Sequence, residues 1–181
     1  MVAAAAILAM SLASCSSSGA SDSNDSQEQN AITELNVVDA MFVQMMLPHH
    51  EQAIVMADMA LEPSRGAGSD VVELARQIKE VQEAEILVLT EFLAMVGDSL
   101  DGHMHEMKGM LREEELAELG SLQGTDFDRK WLEGMIAHHE GAIEMAEDVL
   151  RDGSNERVRM LAKDVEAAQR AEIDIMKSLV G

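Results

Sequence analysis

An all-α fold, a four-helix bundle made of two duplicated helix hairpins, is what three features of the sequence predict. Aromatics make up only 2% of the 181 residues and Tyr is absent, which is a poor composition for strands. Gly and Pro fall mostly between apolar-periodic stretches. The third feature is an internal repeat. Asp39 to Ala57 aligns with Asp128 to Ala146 at a constant offset of 89, and the stretch Leu74-Ala75 to Ile86 aligns with Leu161-Ala162 to Ile173 at an offset of 87. A length of 181 residues and 47% hydrophobic content suit one domain.

The chain opens on an apolar run, Val2 to Leu12, too short for a spanning helix, which needs roughly 20 apolar residues. Leu12-Ala13-Ser14-Cys15 resembles the lipobox of bacterial lipoproteins, so residues 1–14 read as a lipoprotein signal peptide and Cys15 as the lipid-anchored first residue. No Lys or Arg precedes Asp22, which leaves a plain secreted protein or an ordered apolar N-terminus open. Residues 15–35, mostly Ser, Asp, Asn and Gln, have little to bury and read as a disordered tether. The duplicated domain then occupies 36–181.

Within it the helices are placed at 37–61, 70–96, 126–151 and 155–180. Asn36 with Asp39, and Thr125 with Asp128, have the spacing of a capping box at the start of each copy. Glu62-Pro63-Ser64-Arg65-Gly66 and Asp152-Gly153-Ser154 separate the helices of each pair, and such short loops make them antiparallel neighbours. The linker between copies, 97–124, is longer and holds a short helix at 112–119.

A net charge of −21 repels nucleic acid and anionic membranes and concentrates cations, although a charged helix face needs no metal to explain it. Cys15 is the sole cysteine, so neither an internal disulfide nor a thiolate metal cluster can form.

Residues spaced by 3, 7 and 10 share a helix face. Phe42, Met46, His49, Ala53 and Met56 form such a line, and Trp131, Met135, His138, Ala142 and Met145 repeat it. Each first histidine therefore points inward with the methionines. His50 and His139 lie about 100° away and either complete the site or flank it. A lone buried histidine is most simply a hydrogen-bonded core residue, but adjacent pairs repeated in register and bracketed by Met point to metal ligation. Glu85 and Glu172 recur on the second helix of each pair as candidate acceptors for the histidines, while Glu51 and Glu140 face the surface.

The linker adds His103, Met104, His105, Met107 and Met110 between Gly102 and Gly109, in a polar setting where core packing is a weak explanation. Met41, Met45, Met59, Met160 and Met176 read instead as flexible core filling. Thioethers suit Cu(I) and Ag(I), and imidazole also suits Cu(II), so the combined donor set favours copper as the cofactor. Two Met/His half-sites are expected, one per copy, supplemented by the linker. A di-iron carboxylate oxidase would need Glu-x-x-His motifs that are missing before both His-His pairs. No nucleophilic triad or phosphate-cradling loop is present either, so nothing in the sequence argues for an enzyme.

These paired segments resemble the bacterial secreted or lipid-anchored family known as domain of unknown function 305. The residues that carry the resemblance are Asp39, Phe42, Met46, His49, His50, Ala53, Met56, Ala57, Gln82, Glu85 and Ile86. They recur as Asp128, Trp131, Met135, His138, His139, Ala142, Met145, Ala146, Gln169, Glu172 and Ile173. The resemblance covers about 36–181 and implies a ferritin-like four-helix fold and, by analogy with some members, copper binding and tolerance in the cell envelope. Leu89 stands where the second copy has Met176, which argues against a ligand role for that methionine in both halves. The resulting expectation is an envelope lipoprotein that binds Cu(I), and also Ag(I), for sequestration, with metal ions and a lipid anchor at Cys15 as its partners and a homo-oligomer left open. The alternative is a non-catalytic helical interaction module with structural histidines.

Overall fold

The computed structural model describes residues 34–96 and 107–180, and the segments expected to be signal peptide and most of the tether, with His103, Met104 and His105, lie outside the described residues. The described chain is all helical: α1 (Val37–Leu61), a 3-10 turn (Pro63–Arg65), α2 (Ser69–Val96), α3 (Glu113–Ser121), α4 (Gly124–Asp152) and α5 (Glu156–Val180). The four long helices and the short linker helix agree with the sequence-based boundaries to within about two residues.

Hairpin α1/α2 packs on hairpin α4/α5 chiefly through α1 and α4, which form the central pair, while α2 and α5 pack mainly on their own hairpin partners. Two apolar cores result. One joins Ala53, Met56 and Ala57 of α1 and Leu74 and Ile78 of α2 to Phe127, Trp131 and Met135 of α4. The other joins Phe42 and Met46 of α1 and Leu89 and Phe92 of α2 to Ala142 and Ala146 of α4 and Val158 and Val165 of α5. The N-terminal half of α1 thus shares a core with the C-terminal half of α4, so the central helices run antiparallel. His49, His50, His138 and His139, all at 0% exposure, fall between the two cores, at the waist of the bundle.

The start of α1 is a capping box as predicted, with Asp39 N donating to Asn36 Oδ1 at 2.9 Å and Asn36 N donating to Asp39 Oδ2 at 3.0 Å. The second predicted box does not form. Helix α4 begins at Gly124 with Gln123 as N-cap, and Asp128 instead accepts the backbone N–H of Gly68 through both carboxylate oxygens, at 3.1 and 3.0 Å. Asp39 does the same in the other direction, accepting from Ser154 N at 3.1 Å, Ser154 Oγ at 3.0 Å and Asn155 N at 3.0 Å. Each hairpin therefore holds the entry to the other hairpin's second helix, where orphan N–H groups need acceptors. Spacing along one copy cannot show this, because the partner lies in the other.

The methionines read as core filling divide. Met176 is fully buried and Met59 packs against the first core, but Met41 and Met160 are 44% and 60% exposed and fill no core. On α1, Met41 falls off the inward line that Phe42 and Met46 follow.

Candidate metal centre

The 3.6-residue period that buries Phe42 and Met46 also buries His49, and in α4 the same period carries Trp131 and Met135 to His138. Because α1 and α4 cross at the waist, these two histidines meet. Their ring centroids are 3.8 Å apart with the planes inclined by 41°. Two separate half-sites, the expectation from sequence, are thereby corrected to one shared centre: the inward faces that seemed to belong to each copy are the faces that pack together. Small Ala53 and Ala142, both fully buried, leave the rings room to approach.

The outer histidines have a different environment. His50 Nε2 donates to Glu85 Oε2 at 2.8 Å and His139 Nε2 donates to Glu172 Oε2 at 2.7 Å, the same bond in both copies. A carboxylate only accepts, so each Nε2 carries a proton and donates it to the glutamate. The glutamates are thus the orienting acceptors the sequence suggested. Glu51 and Glu140 are exposed, as expected from their place on the helix.

The inner pair is less satisfied. His49 Nε2 donates to the backbone carbonyl of Lys108 at 3.3 Å, while neither ring nitrogen of His138 has a hydrogen-bond partner. Of the eleven buried side-chain nitrogen and oxygen atoms without a hydrogen bond among the described residues, nine belong to the four histidines and to Gln82 and Gln169. Such atoms cost about 1–3 kcal/mol each when buried, and most of those among the described residues belong to these histidines and glutamines. Burial pushes the His49 imidazole down to about 3, helped by the neighbouring His50 and His139. Burial also drives His138 well below its ordinary value, with His49 and His139 adding to the effect. Both rings are neutral at physiological pH, the form that ligates metals.

Met46 and Met135 stand one helical turn before the inner histidines and are fully buried, as is Met56. Met56 packs in the first core beside Trp131, whose Nε1 donates to the Met56 carbonyl at 2.8 Å. Met145 is half-buried on the edge of the second core. From the linker, Met107 is buried at 9% exposure and Met110 is half-buried. Among the described residues no three His, Cys, Asp or Glu side chains are arranged to hold a metal ion. Glu85 and Glu172 are each engaged with one histidine. A donor set of neutral imidazoles and thioethers fits a soft monovalent ion.

Sequence reasoning attached no role to Gln82, Gln169, Gln52 or the Lys108 carbonyl. The two glutamines carried a legible signal, a polar residue on the inward stripe of α2 and α5 repeated in both copies. A backbone carbonyl carries none.

The fold and the site define a class: a fused pair of helical hairpins with buried histidines at their junction. The chain belongs to the DUF305 family, a domain of unknown function, whose family model matches residues 39–180. Among solved structures, a DUF305 fragment from Deinococcus radiodurans is 31% identical with a TM-score of 0.71, covering 81% of this chain and 97% of that one. A DUF305 protein from Streptomyces coelicolor is 26% identical with a TM-score of 0.70, covering 78% of this chain and 91% of that one. CopM in its Cu(II)-bound form is 31% identical with a TM-score of 0.66, covering 78% of this chain and 95% of that one. CopM is also known in Cu(I)-bound and Ag-bound forms. No protein of curated function matches the sequence.

Proposed function

We propose that this chain is an envelope protein that binds copper, as Cu(I) and with Ag(I) as a competitor, and sequesters it. The observation that carries the reading is the buried His49–His138 pair, neutral and short of hydrogen-bond partners, with Met46 and Met135 one turn away on the same helix faces. Met56, Met145, Met107 and Met110 are further thioether candidates, with His103, Met104 and His105 of the linker. His50 and His139, each oriented by its glutamate, present Nδ1 as the remaining imidazole donors. CopM, about a third identical over most of its length, is known with Cu(I), Cu(II) and Ag, which supports the same ions here. Anchoring through Cys15 outside the cytoplasm rests on the lipobox-like segment and on the family's secreted members. When bound, copper would supply a soft ion for storage, and the protein's part is to keep neutral donors dry and preorganised.

Competition of the purified protein against a Cu(I) chelator tests this, and binding no tighter than micromolar would refute it. Replacing His49 and His138 together by Ala is expected to weaken Cu(I) affinity by about 100-fold or more, since loss of ligand-supporting groups alone costs about 10- to 100-fold. A second reading, in which the histidines serve only the packing of an interaction module, draws on the satisfied His50–Glu85 and His139–Glu172 bonds. It predicts instead that the double variant loses its fold with no change in metal stoichiometry.

A further inference from the structure

Among the register positions near the histidines at which the two copies differ, Gln52 in α1 corresponds to Gly141 in α4. Both residues touch the same piece of chain, residues 107–111, which leads from the linker into α3. Gln52 grips it with both ends of its carboxamide, Nε2 donating to Leu111 O at 2.8 Å and Oε1 accepting from Leu111 N at 2.8 Å. Gly141 receives it by having no side chain, because a Cβ there would overlap the Lys108 carbonyl group. Gly109 repeats the device from the other side. It sits at φ 80°, and a Cβ on it would overlap the carbonyl oxygen of Ala137.

Seated this way, the segment lies directly on the centre. The Lys108 carbonyl oxygen is 3.3 Å from His49 Nε2, Met107 is buried, and the Lys108 side chain is exposed and paired with Glu144. Lys108 thus touches a fully buried imidazole through its backbone while its side chain reaches solvent. The seat also fixes the protonation of His49: Nε2 gives its hydrogen to the carbonyl, so only Nδ1 can ligate.

We propose that residues 107–111 are a strap closed over the His49–His138 pair, and that Gln52 and Gly141 are the positioning residues that set how fast a bound soft metal ion leaves. This rests on the copper reading above. The duplication explains why two unlike residues hold the strap. The segment is present once and meets the two copies at different residues, Leu111 at Gln52 and Lys108 at Gly141.

The test compares wild type with Gln52→Ala, Gln52→Glu and Gly141→Ala, each loaded with Cu(I), measuring the rate of transfer to excess chromogenic chelator. Amide exchange at Leu111 and thermal stability are measured on the metal-free proteins. Loss of two hydrogen bonds in Gln52→Ala is expected to speed release and Leu111 exchange by about tenfold. Gln52→Glu, which keeps the acceptor for Leu111 N but repels Leu111 O, is expected to fall between. Gly141→Ala is expected to release fastest, and should it fail to fold, the Gln52 variants still decide. Wild type that binds Cu(I) but releases it at the same rate as Gln52→Ala overturns the strap while leaving the copper reading intact. Wild type that binds no Cu(I) overturns both.

Discussion

The two hairpins carry the same motif yet do not end in the same state. His50 and His139 are equivalent to within 0.1 Å in their bonds to Glu85 and Glu172, whereas His49 is held by the Lys108 carbonyl and the His138 ring nitrogens have no such partner. Likewise Asp39 accepts from Asn36, Ser154 and Asn155, while its counterpart Asp128 accepts from Gly68 N. Duplication reproduces what each hairpin does by itself, and departs from symmetry where connections are met: the hairpin loops that Asp39 and Asp128 hold differ in sequence, and the linker that meets His49 is present once. The connections break the equivalence, and the inner histidines inherit the break.

The clasps give the largest expected contrast. Asp39→Ala strips acceptors from several N–H and O–H groups around a fully buried carboxylate and is expected to destabilise the fold by about 3 kcal/mol. Asp128→Ala, which frees one N–H, is expected to cost about 1 kcal/mol. Denaturant unfolding of both variants checks the order, and equal losses would show that the clasps are equivalent after all.

Acid should come next in size. His49 and His138 are held neutral in the fold but gain a proton once unfolded, so the unfolded state binds more protons below the ordinary histidine value of about 6.5. Their contribution is complete above pH 6.5 and is lost as pH falls below it, for His49 down to about 3. Thermal melts of metal-free protein between pH 7 and 4 should show a shallower decline in His138→Leu than in wild type. Parallel curves would place the acid sensitivity in the carboxylates.

The smallest contrast is expected to be none. Glu85→Ala and Glu172→Ala each release one outer imidazole and should weaken Cu(I) affinity by the same factor, about tenfold, as removal of an orienting acceptor does. Chelator competition on the two variants measures it. A clear inequality would mean that the asymmetry of the strap extends to the outer pair.

Much of this is legible in the sequence because it is local. The boundaries of the long helices follow from periodicity and breakers, and the burial of Met46, His49, Met135 and His138 follows from a shared 3.6-residue face. The His50–Glu85 and His139–Glu172 pairs are within reach because each joins adjacent helices of one hairpin, whose antiparallel register short loops confine. Met41 and Met160 go the other way: residue type suggests core, and the face of the helix decides otherwise. Thr125 and Asp128 have the spacing of a cap, but a stronger claim on Asp128 comes from Gly68, 60 positions away in sequence.

By itself, then, the sequence determined a duplicated all-α chain, the faces its helices bury, and a Met/His donor set suited to soft metal ions. Only the tertiary structure decided that the two inward histidines share one centre, that each hairpin caps the other, and that residues 107–111 lie across the site. Helix period and residue chemistry act within a few turns of the chain. The crossing of α1 with α4 and the seating of a backbone carbonyl on His49 depend on packing between distant segments, which no spacing within one copy encodes.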